Sequence, residues 1–351
     1  AMIVQNIRNE QHTHYIRSLD GIRGIACLLV VASHISDILH SKLPGAPTSL
    51  GPAGVIIFFV LSSFLMTTLY YQQPFSKVSV EKYAIARFSR IAPAYWLAVA
   101  VAFCLYHIFP GFHYDMNPAQ TVRSFAFLGT TGVFWSIPPE VQFYFFFAFI
   151  WFSNYAFANG SKLWRYVVIL FFIASMLTMN HWLGLLLPSK LHIFGAGIVG
   201  ALIIRKTQIR DVLKSPIAQV MLVLASLVYW NVIAVHEDEY TDVVLALLFG
   251  CTVASLSFST PVTRVLESSV MKVLGAASFS IYLFHDLTLR VIERADFFAA
   301  LSTGVQLALL CVTAVAIPVA FHFAVEAPLT RWTRDALSRR ILKPQSVSVL
   351  S

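Results

Sequence analysis

Charge is what this sequence has least of. Only 12% of its 351 residues are Asp, Glu, Lys or Arg, about half of what a water-soluble domain uses to cover its surface. The deficit excludes an ordinary globular enzyme of this length. Cysteine is scarce too. The four present, Cys27, Cys104, Cys251 and Cys311, all fall inside apolar runs, which excludes a disulfide framework and reads as small apolar packing. There is no internal repeat and no low-complexity segment. No group of closely spaced metal ligands stands out, so no metal is expected. His12 and His14 on the polar N-terminal arm are two histidines without further ligands, which is too little for a metal site.

What is there is hydrophobic: 58% of residues, with a mean hydropathy of +0.72. Long apolar runs of about 20 residues are the length a helix needs to cross a bilayer. The runs are continuous rather than alternating, which points to helices and away from a β-barrel. The fold expected is all-α: a polytopic integral membrane protein of about ten transmembrane helices, at 22–40, 51–71, 92–110, 141–158, 165–181, 187–204, 216–235, 243–259, 272–292 and 303–325. Around 20 polar residues precede the first run and no small-residue cleavage pattern follows it, so no cleavable signal peptide is expected. The parts are then an N-terminal arm (1–21), a transmembrane domain (22–327) and a C-terminal tail (328–351), whose end, 338–351, reads as frayed.

The net charge of +8 is explained by its distribution rather than by nucleic acid. With the N-terminus in the cytoplasm, about 20 of the 25 basic residues fall on inner segments, as the positive-inside bias requires. Both termini are then cytoplasmic. The outer side keeps few cations and the acidic Glu237-Asp238-Glu239.

Ionisable groups at membrane depth are costly and therefore informative. Arg23 and His34 are eleven residues apart on the first span, close to three helical turns, so they share a face about 16 Å apart along the axis. Arg23 sits at the cytoplasmic edge, where a guanidinium suits a phosphate-rich ligand. His34 sits in the outer half, where a neutral imidazole can act as general base on a hydroxyl. The bland alternative is a snorkelling arginine and a structural histidine.

Arg87 and Arg90 form a basic stretch before the third span, with Pro93 near its first turn. That is either topogenic charge or an inner-face site for an anionic nucleotide or CoA. Glu140 enters the fourth span after Trp135-Ser136. It either satisfies the helix dipole or orients and stabilises an imidazolium as the third member of a catalytic set. His285 and Asp286 lie in the outer half of the ninth span. Glu326, at the inner end of the tenth, opposes the dipole there and calls for a basic partner such as Arg331 or an inner-loop arginine.

Taken together and in order, these motifs resemble the membrane acyltransferase-3 family of bacterial O-acyltransferases over nearly the whole chain. They are Leu19-Asp20-Gly21-Ile22-Arg23-Gly24 with His34 downstream; Gly54 to Phe64; Arg90-Ile91-Ala92-Pro93; Trp135-Ser136 with Glu140 and Phe143-Tyr144; Leu274-Gly275 leading to Tyr282-Leu283 and His285; and Glu326-Ala327-Pro328. Two features depart from the family pattern. Ser63 stands where a glycine is usual, and Pro138-Pro139 stiffen the entry to Glu140.

The resemblance implies transfer of an acyl group, most often acetyl from acetyl-CoA, to a hydroxyl of an extracytoplasmic glycan at the bacterial inner membrane. It implies that Arg23 and His34 are the functional pair of the first helix, with Arg87 and Arg90 near the donor. Beside it, the reading of the residues expects His34 as general base with Glu140 as its catalytic partner, and Trp135 and His285 as substrate contacts. Many relatives carry a fused extracellular hydrolase-like domain, so completion within the membrane portion, in a homo-oligomer or with a periplasmic partner is implied here. Phe58 and Phe59 are candidates for the acyl path. The membrane-bound O-acyltransferases, a different class, pair their histidine with an upstream Asn or Asp on another segment, a pattern not seen here. A transporter of a lipid-linked or amphipathic solute is the non-enzymatic alternative.

Overall fold

Each apolar run becomes a helix in the computed structural model, which describes residues 16–39, 50–184, 186–232 and 239–342. In chain order these are α1 (Arg17–Leu39), α2 (Leu50–Tyr70), α3 (Lys77–Ile108), α4 (Pro118–Phe125), α5 (Ile137–Ala158), α6 (Leu163–Thr178) and α7 (Leu191–Ile203). They are followed by α8 (Thr207–Leu213), α9 (Pro216–Val232), α10 (Val243–Leu256), α11 (Ser269–Glu293), α12 (Asp296–Ala300), α13 (Thr303–Phe321) and α14 (Ala327–Ile341). Among the described residues there is no strand. His12, His14, Glu237 and Asp238 lie outside the described residues.

Among the described residues, six stretches are long and apolar enough to cross a membrane: Arg17–Leu39, Leu50–Tyr70, Lys77–Ile108, Gly132–Ala158, Leu163–His181 and Thr303–Ile341. The pair α8 and α9, bent by 76°, makes up to a seventh. The other expected spans are helices of a different kind. α7 and α10 have 13 and 14 residues, shorter than the roughly 20 that cross the hydrocarbon core. α11 has 25 residues, but Lys272, His285, Asp286, Arg290 and Glu293 make it polar. The protein is therefore a multi-pass helical membrane protein; among the described residues, length and composition alone pick out six to seven spans.

Two expectations about helix boundaries are corrected. The Arg87–Arg90 stretch is not a loop before a helix that starts at 92. Ser76 caps α3 by accepting a hydrogen bond from the Ser79 N–H, and the helix runs unbroken past Pro93, which lies in its interior rather than its first turn. The stretch reads as a loop in sequence because its arginines look solvated, whereas Arg87 and Arg90 face a protein cavity. Likewise the helix does not end at 325, the expected edge of the tenth span. It passes through a π-helical turn, His322–Glu326, into α14, which packs along α3. Proline there is tolerated because it falls in the first turn of α14, where no intrahelical N–H is needed.

The helix pair that positions the site is α1 with α11, the most extensive helix contact among the described residues. It depends on small residues, as helix association without a hydrophobic driving force does. A Cβ on Gly275 would lie 2.1 Å from the Asp20 carbonyl oxygen, and one on Gly24 would lie 3.1 Å from Leu274 Cβ. The two helices run in the same direction, since Asp20 lies beside Gly275 and His34 beside Asp286. α2 closes on α1 at Gly54, whose Cβ would be 2.5 Å from the Ala26 carbonyl oxygen. At the family departure, the Ser63 hydroxyl donates to the Phe59 and Val60 carbonyls at 3.1 and 3.0 Å. Gly197 on α7 provides the space opposite it. Outside this core, α6 and α9 expose rows of large apolar side chains, among them Leu170, Leu177, Met221 and Val228, the faces that suit lipid.

Candidate functional site

Two polar sites lie at opposite ends of α1. The first is a cavity between α1, α2, α3, α5 and α11, lined in part by Arg23, Arg87, Arg90, Glu140, Tyr144 and Ser62. Arg23 pairs with Asp20 one turn earlier, at 3.0 Å. Arg87 has no carboxylate partner among the described residues. Its guanidinium lies 5.7–5.9 Å from the ring centres of Tyr70, Tyr83 and Tyr144, and its Nε is buried without a hydrogen bond. The aromatic faces offset part of the charge, but a buried guanidinium without a carboxylate partner still favours an anionic ligand. Glu140 sits in the first turn of α5, as its position after Trp135-Ser136 predicts. Its Oε1 accepts from the Ser62 hydroxyl at 3.1 Å and from the Tyr144 hydroxyl at 2.7 Å.

The second site surrounds His34. Its Nδ1 lies 3.1 Å from Asp286 Oδ1 on α11, and the same oxygen accepts from Arg290 Nε at 3.2 Å. The Asp286 side chain is fully buried, whereas that of His34 is 25% exposed. A carboxylate accepting at Nδ1 fixes the proton on that nitrogen and leaves the Nε2 lone pair free for chemistry. His285 stands edge-on to His34, ring centres 5.0 Å apart. Its own Nδ1 faces the Ile281 and Tyr282 carbonyls at 2.9 Å, so its ring is fixed by its own helix. Arg294, beyond the end of α11, donates to the Pro110 carbonyl at 3.2 Å and to that of Gly111, tying the loop after α3 to this end. In that loop, partial burial and the nearby Arg290 guanidinium hold the His113 imidazole below its usual pKa.

The structure thus brings Arg23, Arg87, Arg90 and Glu140 into one cavity and places His34 with His285 in another group. It does not pair Glu140 with His34: the carboxylate that meets the imidazole is Asp286, and Glu140 is committed to Ser62 and Tyr144. Glu140 and His34 stand on different elements at different ends of α1, beyond the reach of one hydrogen bond. Trp135, in the 3-10 turn Gly132–Ser136, packs edge-on against Tyr240 with ring centres 5.1 Å apart. Lys190 covers the Tyr240 ring at 4.6 Å. Glu326 finds its partner within its own π turn, His322 Nδ1 at 2.7 Å, and also accepts from Ser280 on α11. Arg331 is not needed, because the π turn itself carries the histidine to the carboxylate. Asp286 and His322 were the partners missed in sequence. Both carry a local signal: Asp286–Arg290 and His322–Glu326 have the i,i+4 spacing of helical ion pairs.

This chain can be compared with known proteins on that geometry. The family model described as an acyltransferase domain matches residues 16–324, which includes both sites. The chain belongs to the acyltransferase-3 family. Among its relatives is the exopolysaccharide production protein ExoZ of Rhizobium meliloti (strain 1021), 27% identical over 301 residues, which are 81% of this chain and 90% of that protein. Another is the peptidoglycan O-acetyltransferase OatA of Listeria monocytogenes serovar 1/2a, 33% identical over 97 residues, or 27% of this chain and 14% of OatA. No solved structure matches the chain. As a member of this family the protein is a membrane O-acyltransferase.

Proposed function

We propose that this acyltransferase moves an acyl group, acetyl in the first instance, from cytoplasmic acyl-CoA to a hydroxyl of an extracytoplasmic glycan at the bacterial inner membrane. The observation that carries the reading is that one helix, α1, holds Arg23 in an arginine-rich cavity and presents His34 to Asp286 about three turns further on. In this reading all ten apolar helical segments cross or enter the membrane, both termini are cytoplasmic, and the arginine cavity opens inward.

The chemistry follows from the side chains. The phosphates of CoA are drawn to Arg23, Arg87 and Arg90. Glu140 holds Tyr144 beside these guanidiniums, which makes it a positioning residue of the donor site. His34 Nε2 takes the proton of the acceptor hydroxyl as its oxygen attacks the thioester carbonyl. The C–O bond forms, the C–S bond breaks, and the proton passes to the departing CoA thiolate. The products are the O-acyl ester and CoA thiol. Asp286, held by Arg290, stabilises the imidazolium between these steps. His285 buttresses the imidazole, and Trp135 with Tyr240 offers an aromatic contact to the acceptor.

The acceptor class rests on the relatives: one is named for exopolysaccharide production and the other for peptidoglycan O-acetylation. The test is purified protein in nanodiscs with acetyl-CoA and soluble glycan acceptors, read by thiol release and by mass spectrometry of the glycan. Acyl ester formed in step with free CoA supports the reading. Solute moved across vesicles without thiol release would make the protein a transporter instead.

A further inference from the structure

The histidines do not line the donor cavity, but Tyr282 borders both, and Phe58 in the cavity wall packs against its ring. The cavity is lined by Phe58 and Tyr282, while His34, His285 and Asp286 are absent from its wall. Tyr282 precedes His285 by less than one turn of α11, and their ring centres are 6.2 Å apart. His285 in turn is 5.0 Å from His34. Tyr282 therefore faces the cavity on one side and the histidine pair on the other.

The two members of the pair are held differently. The Tyr282 hydroxyl lies 2.7 Å from Ser136 Oγ and donates to the Val133 carbonyl at 3.0 Å. Those bonds fix it to the turn that leads into α5. Phe58, on α2, meets the Tyr282 ring edge-on at 5.8 Å and has no polar anchor. It packs against both hydrophobic clusters of the core, the main one and the smaller one between α1, α11 and α13. A fixed post and an unanchored leaf of this kind can part by a rotamer change of the leaf alone. Ring centres 5.8 Å apart put the carbon atoms in van der Waals contact, so an extended chain of methylenes does not pass.

On the reading that acyl-CoA docks in the arginine cavity and reacts at His34, we propose that Phe58 and Tyr282 form the acyl gate that restricts this enzyme to short-chain acyl thioesters. An acyl group of two to about four carbons passes with a small displacement of Phe58. A longer chain would hold the leaf open and lose the packing that positions the thioester carbonyl.

The test compares acetyl-CoA with octanoyl-CoA in nanodiscs containing the full chain, reading kcat/KM by thiol release and ester formation. The wild type is expected to favour acetyl over octanoyl by about 10²-fold or more. Phe58→Ala is expected to raise the octanoyl-to-acetyl ratio at least about tenfold. Phe58→Trp is expected to lower kcat for acetyl-CoA while leaving the Kd for CoA within about twofold, because the gate lies beyond the arginines. An unchanged ratio in an active Phe58→Ala protein overturns the gate. If that protein loses all turnover, Phe58→Leu decides: a raised ratio supports the gate and an unchanged one overturns it. A wild type indifferent to chain length also overturns it while leaving the acyltransferase reading intact. A wild type that consumes no acyl-CoA at all defeats the underlying reading instead.

Discussion

Asp286→Asn removes one negative charge and almost no volume, which makes it the cleanest perturbation of the histidine site. Asp286 Oδ1 lies 3.1 Å from His34 Nδ1 and 3.2 Å from Arg290 Nε. In the proposed reaction the imidazole, on taking the acceptor's proton, becomes a cation beside this carboxylate. Two unit charges about 4 Å apart interact by about 4 kcal/mol at an effective dielectric constant near 20. The partial exposure of His34 lowers that to about 3 kcal/mol, which corresponds to about 10²-fold in rate. The asparagine can also turn its NH2 toward Nδ1, hold the wrong tautomer and deepen the loss to about 10⁴-fold. The assay is single-turnover thiol release from acetyl-CoA with saturating acceptor, paired with equilibrium binding of CoA. The fall is expected in kcat, with the Kd for CoA within about twofold, because the arginines lie at the other end of α1. Arg290 keeps a partner in Glu293 at 3.1 Å, so the helix end is expected to hold. A folded Asp286→Asn protein with kcat within threefold of wild type would refute the assignment of Asp286 as the partner of the catalytic histidine.

Other outcomes follow from the same geometry. Arg87→Ala is expected to raise the Kd for acyl-CoA about 10–100-fold, the weight of a charged hydrogen bond, with a smaller effect on kcat. Arg87→Lys should not restore it, because an ammonium cannot reproduce a guanidinium stacked among three rings; binding titrations at two salt concentrations check both. Gly275→Ala puts a Cβ 2.1 Å from the Asp20 carbonyl oxygen. It is expected to cost about 2 kcal/mol or more, seen as a lowered Tm in detergent. For topology, single cysteines placed at Lys162 and Arg123 in a cysteine-free background should differ. An impermeant maleimide added to intact cells is expected to label position 123 and spare position 162, and the reverse pattern would overturn the orientation.

Much of the helical framework was legible because a run such as Leu50–Tyr70 has one physical solution in lipid, a helix that satisfies its own backbone. The Arg23–His34 relation was legible for a similar reason: eleven residues on one helix fix both face and distance. The partner of His34 was not. The contact joins residues 252 apart in sequence, and it depends on α1 and α11 approaching through Gly24 and Gly275, which no local pattern announces. Glu140 offered itself as the partner because it was the more conspicuous carboxylate, entering a helix behind an aromatic residue and two prolines. The early part of α3 was hidden because arginines facing an internal cavity are indistinguishable, in sequence, from arginines facing water. The π turn at His322–Glu326 was hidden because it inserts no unusual residue; only the folded register brings Glu326 to both His322 and Ser280.

The central claim is that His34 performs the transfer while the arginines at the far end of its helix hold the donor. His34→Ala in purified, folded protein with radiolabelled acetyl-CoA and acceptor tests it most directly. The account predicts that ester formation falls by about 10³-fold or more while CoA still binds with near wild-type affinity. Near-normal transfer by His34→Ala, or a loss of CoA binding equal to the loss of transfer, would contradict it.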